Sequence, residues 1–288
     1  MIHTLLAIAG TIAAPWVAPA TELRQVAPDR GAKAWVAPAV PSEKTRAIVL
    51  LHGLYLHPVR PAKATQPFFR DWQQPNSVLV KTLAKDFDVF AFGYAQIASV
   101  DDTARTPGLR DAVAKIRKAG YTEIVLVGHS AGGVISRLFV EENPDAGVTK
   151  VIAVASPFTG VKMATLELGY RKVQAPFVES LTPEARTIAT KANNLALGKD
   201  VEFACVVCKL KRLETDGLVS TRSQWSEDLQ QLGVPAVLAQ VSHTDAMDTA
   251  ATAKTILELA NGKITRWSAE EVDAARKVLF REPGLLRR

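Results

Sequence analysis

Six short apolar runs punctuate the chain: RAIVLLHG (46–53), DVFAFGY (88–94), EIVLVGHS (123–130), VTKVIAVASP (148–157), VEFACVVC (201–208) and PAVLAQVSH (235–243). They are rich in Val and Ile and show little polar alternation, the pattern of strands covered on both faces. Between them apolar positions recur at helical spacing, over 76–85, 107–119, 132–142, 223–232 and 245–260. Asn76 and Asp111 suit first turns, and Gly120 suits a helix stop. This alternation predicts a mostly parallel central sheet with helices on both faces. In such a sheet the reactive groups gather at the carboxyl ends of the strands.

Two connections are longer than the alternation needs. Residues 54–75 carry Pro58, Pro61, Pro67 and Pro75 with the aromatics Phe68, Phe69 and Trp72, and residues 158–200 carry helical patterns but no clear strand. Long excursions in a compact domain are usually covers or binding loops. Both leave strand carboxyl ends, so both are expected to roof a site, the second as a small cap.

The remaining composition adds limits. The chain has 288 residues, 48% hydrophobic and 22% charged, with no repeat or low-complexity tract. That suffices for a sizeable core, and residues 21–288 read as one domain. The first twenty residues hold no Lys, Arg, Asp or Glu, and Ala18-Pro19-Ala20 has the small-x-small form of a signal-peptidase site. The apolar part is too short to span a bilayer. Residues 1–20 are therefore expected to be a signal peptide, and the protein to be exported. A net charge of +6 without a dense basic run argues against a nucleic-acid partner and leaves weak, transient attraction to an anionic membrane surface. Cys205 and Cys208 share one predicted strand, where three residues separate Cα atoms by about 10 Å. A disulfide needs less than about 7 Å, so both read as buried free thiols.

Chemistry concentrates where the third run meets a helical pattern, at Gly128-His129-Ser130-Ala131-Gly132. A G-x-S-x-G sequence between a strand and a helix is the nucleophile elbow. Side chains at Gly128 and Gly132 would collide with neighbouring backbone. Serine needs a base, and of His3, His52, His57, His129 and His243 only His243 lies downstream, at the end of the last strand. The side chain of His129 should point away from Ser130. An acid belongs between serine and base, and LETDGLVS (213–220) offers Asp216, with Gly217 for a sharp turn and Leu218-Val219 to anchor the loop; Glu214 and Asp200 stand in reserve. The backbone N–H of Ala131, at a helix start, is one oxyanion donor. The N–H of Leu54, after His52-Gly53, is the second.

With LLHGL, GHSAGG, ASPFTG, TDGLVS and SHTD in this order, residues 44–260 resemble the α/β-hydrolases, nearest the bacterial lipase and esterase branch. The resemblance implies Ser130, Asp216 and His243 as a triad, Leu54 and Ala131 as oxyanion donors, and hydrolysis of a small-molecule or lipid ester without a cofactor. Ser156-Pro157 matches the family's strand-end Ser-Pro, but Phe158 stands where lipases often carry His. Some bacterial lipases hold a structural calcium through an Asp at the position of Asp245. No partner carboxylate is found here, and an acid at a helix N-terminus accounts for Asp245 better. Phe68, Phe69, Trp72, Phe158 and Phe177 either line an acyl pocket or pack as ordinary core. An acyltransferase on the same triad and a non-catalytic binding protein remain as alternatives.

Overall fold

The six apolar runs form six parallel strands, β2 (Arg46–Leu51), β3 (Asp88–Tyr94), β4 (Glu123–His129), β5 (Lys150–Val154), β6 (Glu202–Cys208) and β7 (Ala236–Ala239). A seventh, β1 (Thr21–Ala27), lies antiparallel against β3 and gives the order β1-β3-β2-β4-β5-β6-β7. These strands come from a computed structural model that describes residues 18–31, 33–37, 42–57, 59–162, 172–192 and 197–280. Most of the expected signal peptide (1–17), with 163–171 and 193–196 of the expected cap, lies outside the described residues.

β1 escapes the apolar pattern because an edge strand is only partly covered. Glu22 and Arg24 pair with each other at 2.5 Å, while Gln25 is buried and accepts a hydrogen bond from the Trp35 indole at 2.9 Å.

The helices are α1 (Val78–Leu83), α2 (Val100–Arg105), α3 (Pro107–Lys118), α4 (Ala131–Glu142), α5 (Ala175–Glu179), α6 (Pro183–Ala192), α7 (Thr221–Gln224), α8 (Glu227–Gln231), α9 (Ala250–Asn261) and α10 (Ala269–Leu279). Two expected helices change. The pattern over 223–232 is two short helices, because Trp225 turns into the core and donates its indole N–H to Val234 O at 2.9 Å. The pattern over 245–260 begins only at Ala250, where the Thr249 hydroxyl accepts from the Thr252 N–H. The short helix α2, the helices α5 and α6 of the long 158–200 connection, and the terminal helix α10 complete the set.

The sheet divides the core in two. α2, α3, α4, α8 and α10 pack on one face, and α1 and α9 on the other. Alternation along β6 sends Cys205 into the first layer and Cys208 into the second. Both thiols are free, and burial pushes both well above the ordinary thiol range. α4 is covered nearly all round, and Ile135 and Phe139 are fully buried. Each such side chain stabilises the fold by about 1.5–3 kcal/mol, which anchors the helix whose first residue follows Ser130.

Candidate active site

Ser130 joins β4 to α4 with φ 54° and ψ −125°, a left-handed region that non-glycine residues avoid. Holding it there costs about 1–3 kcal/mol. The backbone is pinned on both sides: Ser130 N–H donates to Val154 O at 2.8 Å, and Gly133 N–H donates to Ser130 O at 3.0 Å. The flanking glycines are required by contact. A Cβ at Gly128 would lie 2.5 Å from the Gly132 carbonyl carbon, and one at Gly132 would lie 2.4 Å from Leu51 O. The elbow is thereby pressed against the end of β2. The Ser130 hydroxyl has no hydrogen-bond partner among the described residues and is free to meet a ligand.

Asp216 and His243 come together. His243 Nδ1–H donates to Asp216 Oδ2 at 2.7 Å, and His243 N–H donates to Asp216 O at 2.9 Å. The other carboxylate oxygen, Oδ1, accepts from Leu218 N–H at 2.9 Å and Val219 N–H at 2.7 Å. Gly217, with φ 100°, makes the turn that aims those donors back. The expectation for Leu218 changes: its side chain is exposed and only Val219 anchors the loop, because Leu218 contributes its backbone. Glu214 faces outward toward Arg222 at 3.8 Å, and Asp200 is exposed in a turn, so neither reaches the imidazole.

His243 meets the elbow through its neighbour. His129 Nε2–H donates to His243 O at 3.1 Å, and the two rings lie 4.9 Å apart. The His129 ring thus supports the histidine loop. Burial, and then His243, hold it well below the ordinary imidazole range, so it is neutral.

The loop after β2 brings Leu54 to the elbow. A Cβ at Gly53 would lie 2.6 Å from Ser130 Cβ, so the two backbones touch as closely as glycine permits. The N–H groups of Leu54 and Ala131 have no acceptor among the described residues. Ala131 is the first residue of α4, where such orphan donors and the helix dipole favour negative charge. His52 lies beneath, stacked on Tyr94 at 4.2 Å, and burial pushes its pKa down to about 3. His57, at the end of the same loop, has little exposed surface and packs edge-on against Tyr55 and Phe68.

The five aromatic candidates divide. Phe68, Phe69 and Trp72 line a cleft of about 530 Å³ with Tyr55, His57 and Arg70. Its Trp72 wall lies 6.1 Å from the His129 ring. Phe158 and Phe177 are core residues, packed on Phe203 and Tyr94. Asp245 does not begin a helix. Its carboxylate accepts from the Ser242 hydroxyl at 2.6 Å and closes a turn.

Three buried glutamines of the site do not stand out in the sequence. Gln224 Nε2 donates to Asp216 Oδ2 at 3.1 Å. Gln96 and Gln174 bond the loop that carries Leu54. For Gln96 the one available signal is its place just past the carboxyl end of β3.

The parallel sheet, the strained serine at its centre and the aspartate–histidine couple beside it define an α/β hydrolase. The chain belongs to the alpha/beta hydrolase family, whose model matches residues 48–282. Among solved structures, mature Bacillus licheniformis lipase BlEst2 superposes with a TM-score of 0.57 at 15% identity, over 78% of this chain and 96% of that one. Phospholipase PlaB from Legionella pneumophila gives 0.57 at 13% identity, over 81% and 63%. The metagenomic carboxyl esterase MGS0156 gives 0.51 at 17% identity, over 88% and 81%. At such identities the likeness is one of fold. No curated protein sequence matches the chain significantly.

Proposed function

We propose that the protein hydrolyses carboxylic esters, with Ser130 as nucleophile, His243 as general base and Asp216 as its orienting acid. The observation that carries this reading is the His243–Asp216 couple, tied through His129 to the elbow that holds Ser130 in a left-handed turn. With Nδ1–H given to Asp216, His243 Nε2 is the bare nitrogen that can take a proton. Ser130 Oγ attacks the ester carbonyl while Nε2 removes its proton, and the same proton passes to the leaving alcohol. The Leu54 and Ala131 N–H groups receive the oxyanion. Water, activated by His243, then releases the acid.

The class of substrate is supported by the lipase, the carboxyl esterase and the phospholipase among the similar structures. A lipid ester would bring the protein to a membrane surface, in keeping with its net charge of +6. Export after cleavage near Thr21 belongs to the same reading, and an intact Met1 end in protein from the native envelope fraction would refute it.

Hydrolysis of a short nitrophenyl ester tests the proposal. Ser130→Ala should abolish turnover and labelling by a fluorophosphonate probe, and His243→Ala should lower kcat by about 10³-fold. Turnover by Ser130→Ala near the parent rate would overturn it. Acyl transfer to an added alcohol in preference to water would make the protein an acyltransferase, and absence of labelling a binding protein.

A further inference from the structure

We propose that Gln96 is a positioning residue for the oxyanion loop, its side-chain amide setting the direction of the Leu54 N–H. The inference rests on the Ser130–His243–Asp216 reading above. Gln96 is fully buried just past the end of β3. Its Nε2 donates to Gly53 O at 3.0 Å, and its Oε1 accepts from Tyr55 N–H at 3.0 Å. One carboxamide therefore holds the chain on both sides of Leu54, and only one orientation of the amide satisfies both bonds.

The geometry of a peptide unit does the rest. The Gly53 carbonyl and the Leu54 N–H belong to the same planar trans peptide and point in opposite directions. Holding the Gly53 oxygen toward Gln96 holds the Leu54 N–H away from it. His52 Nδ1–H donates to the same Gly53 oxygen at 2.8 Å and reinforces that orientation. Released from these donors, the peptide can rotate, and the Leu54 N–H loses its aim. Gln96 is itself held, its N–H donating to Ala64 O at 2.9 Å.

Gln174 supplies an internal control. It is equally buried and makes two bonds of the same kind one step further on: Nε2 to Tyr55 O at 2.9 Å, and Oε1 from His57 N–H at 2.9 Å. It does not touch the Gly53–Leu54 peptide, and its one link to Gln96 is a long bond from Nε2 to Oε1 at 3.5 Å, on the side that holds Tyr55 rather than Gly53. Gln96→Met and Gln174→Met should both lower Tm, the first by stripping the Tyr55 N–H of its acceptor and leaving Gly53 O to His52 alone, the second by stripping the His57 N–H and Tyr55 O of their partners. Their kinetics should part. Gln96→Met should lower kcat on the nitrophenyl ester by about 10²-fold, the scale of losing one oxyanion donor, with KM within about threefold of the parent. The inhibition constant of an alkylboronic acid, which forms a tetrahedral adduct on serine, should rise alongside. Gln174→Met should cost less than about fivefold in kcat.

Equal kcat losses in the two variants, or a raised KM with kcat unchanged for Gln96→Met, would overturn the proposal. Should Gln96→Met fail to fold, Gln96→Glu, assayed beside the parent at about pH 9 where the carboxylate is favoured, preserves the shape and the acceptor for Tyr55 while removing the donor to Gly53. A kcat below the parent supports the assignment, and parent-level activity sinks it. A parent that hydrolyses esters and labels at Ser130 while Gln96→Met matches it refutes this inference alone. A parent that neither labels nor turns over refutes the triad reading and this inference together.

Discussion

Two loops contribute to the proposed site, and they are built in opposite ways. The loop that carries Asp216 is largely self-contained: its own Leu218 and Val219 N–H groups hold one carboxylate oxygen, and Asp216 O accepts the His243 N–H. The loop that carries Leu54 is held from outside, by Gln96 and Gln174 from distant parts of the chain and by Tyr94, whose hydroxyl donates to His52 O. A self-closed loop is a local device, specified by a few adjacent residues such as Asp216 and Gly217. A loop held by remote amides depends on the whole fold arriving first.

The sharpest way to break the comparison is at the self-contained loop. Asp216→Asn should lower kcat by about 10³-fold with little change in KM, while Glu214→Gln stays within a few-fold of the parent. If Glu214→Gln were the damaging change, the acid would lie two residues upstream and the contrast would disappear. Gln224→Met gives the next largest effect. It removes the one side-chain amide on Asp216 Oδ2 but spares both backbone donors, so kcat should fall only about tenfold. A loss matching that of Gln96→Met would mean that the acid loop also depends on outside support.

A smaller effect separates the loops by pH. His52 titrates near 3 in the folded chain because it is buried, and His129 is lowered for the same first reason. Both take up protons more readily when unfolded, near pH 6.5. The His52 contribution to stability is therefore complete above pH 6.5 and is lost as pH drops toward 3, by up to about 1.4 kcal/mol per pH unit, and the His129 contribution is lost in the same direction. His52→Phe keeps the stacking on Tyr94 and Phe68 and should flatten the fall of Tm between pH 6 and 4. An unchanged slope would assign the acid sensitivity elsewhere.

The same contrast explains what the sequence conveys. The strands, the Gly128–Gly132 elbow, the position of Asp216 before Gly217 and that of His243 after β7 are legible because each depends on residues close in the chain. Gln96, Gln174 and Gln224 are not, since a buried amide looks like any surface amide until its partners, up to 119 residues away, are known. β1 is hidden because its outward residues Glu22 and Arg24 interrupt the apolar run. The break at Trp225 is hidden because a helical period holds on both sides of it.

The two thiols of β6 allow the layers of the molecule to be observed separately. Each is sealed in a different layer and held protonated, so an alkylating reagent can react only after that layer opens. Cys205 reports exposure under α4 and α8, and Cys208 exposure on the side of α1 and α9. Equal protection of the two would show that the sheet and both helical layers come apart as one cooperative unit. Faster modification of one thiol would reveal a partial opening confined to its layer, with a free energy of its own below that of global unfolding.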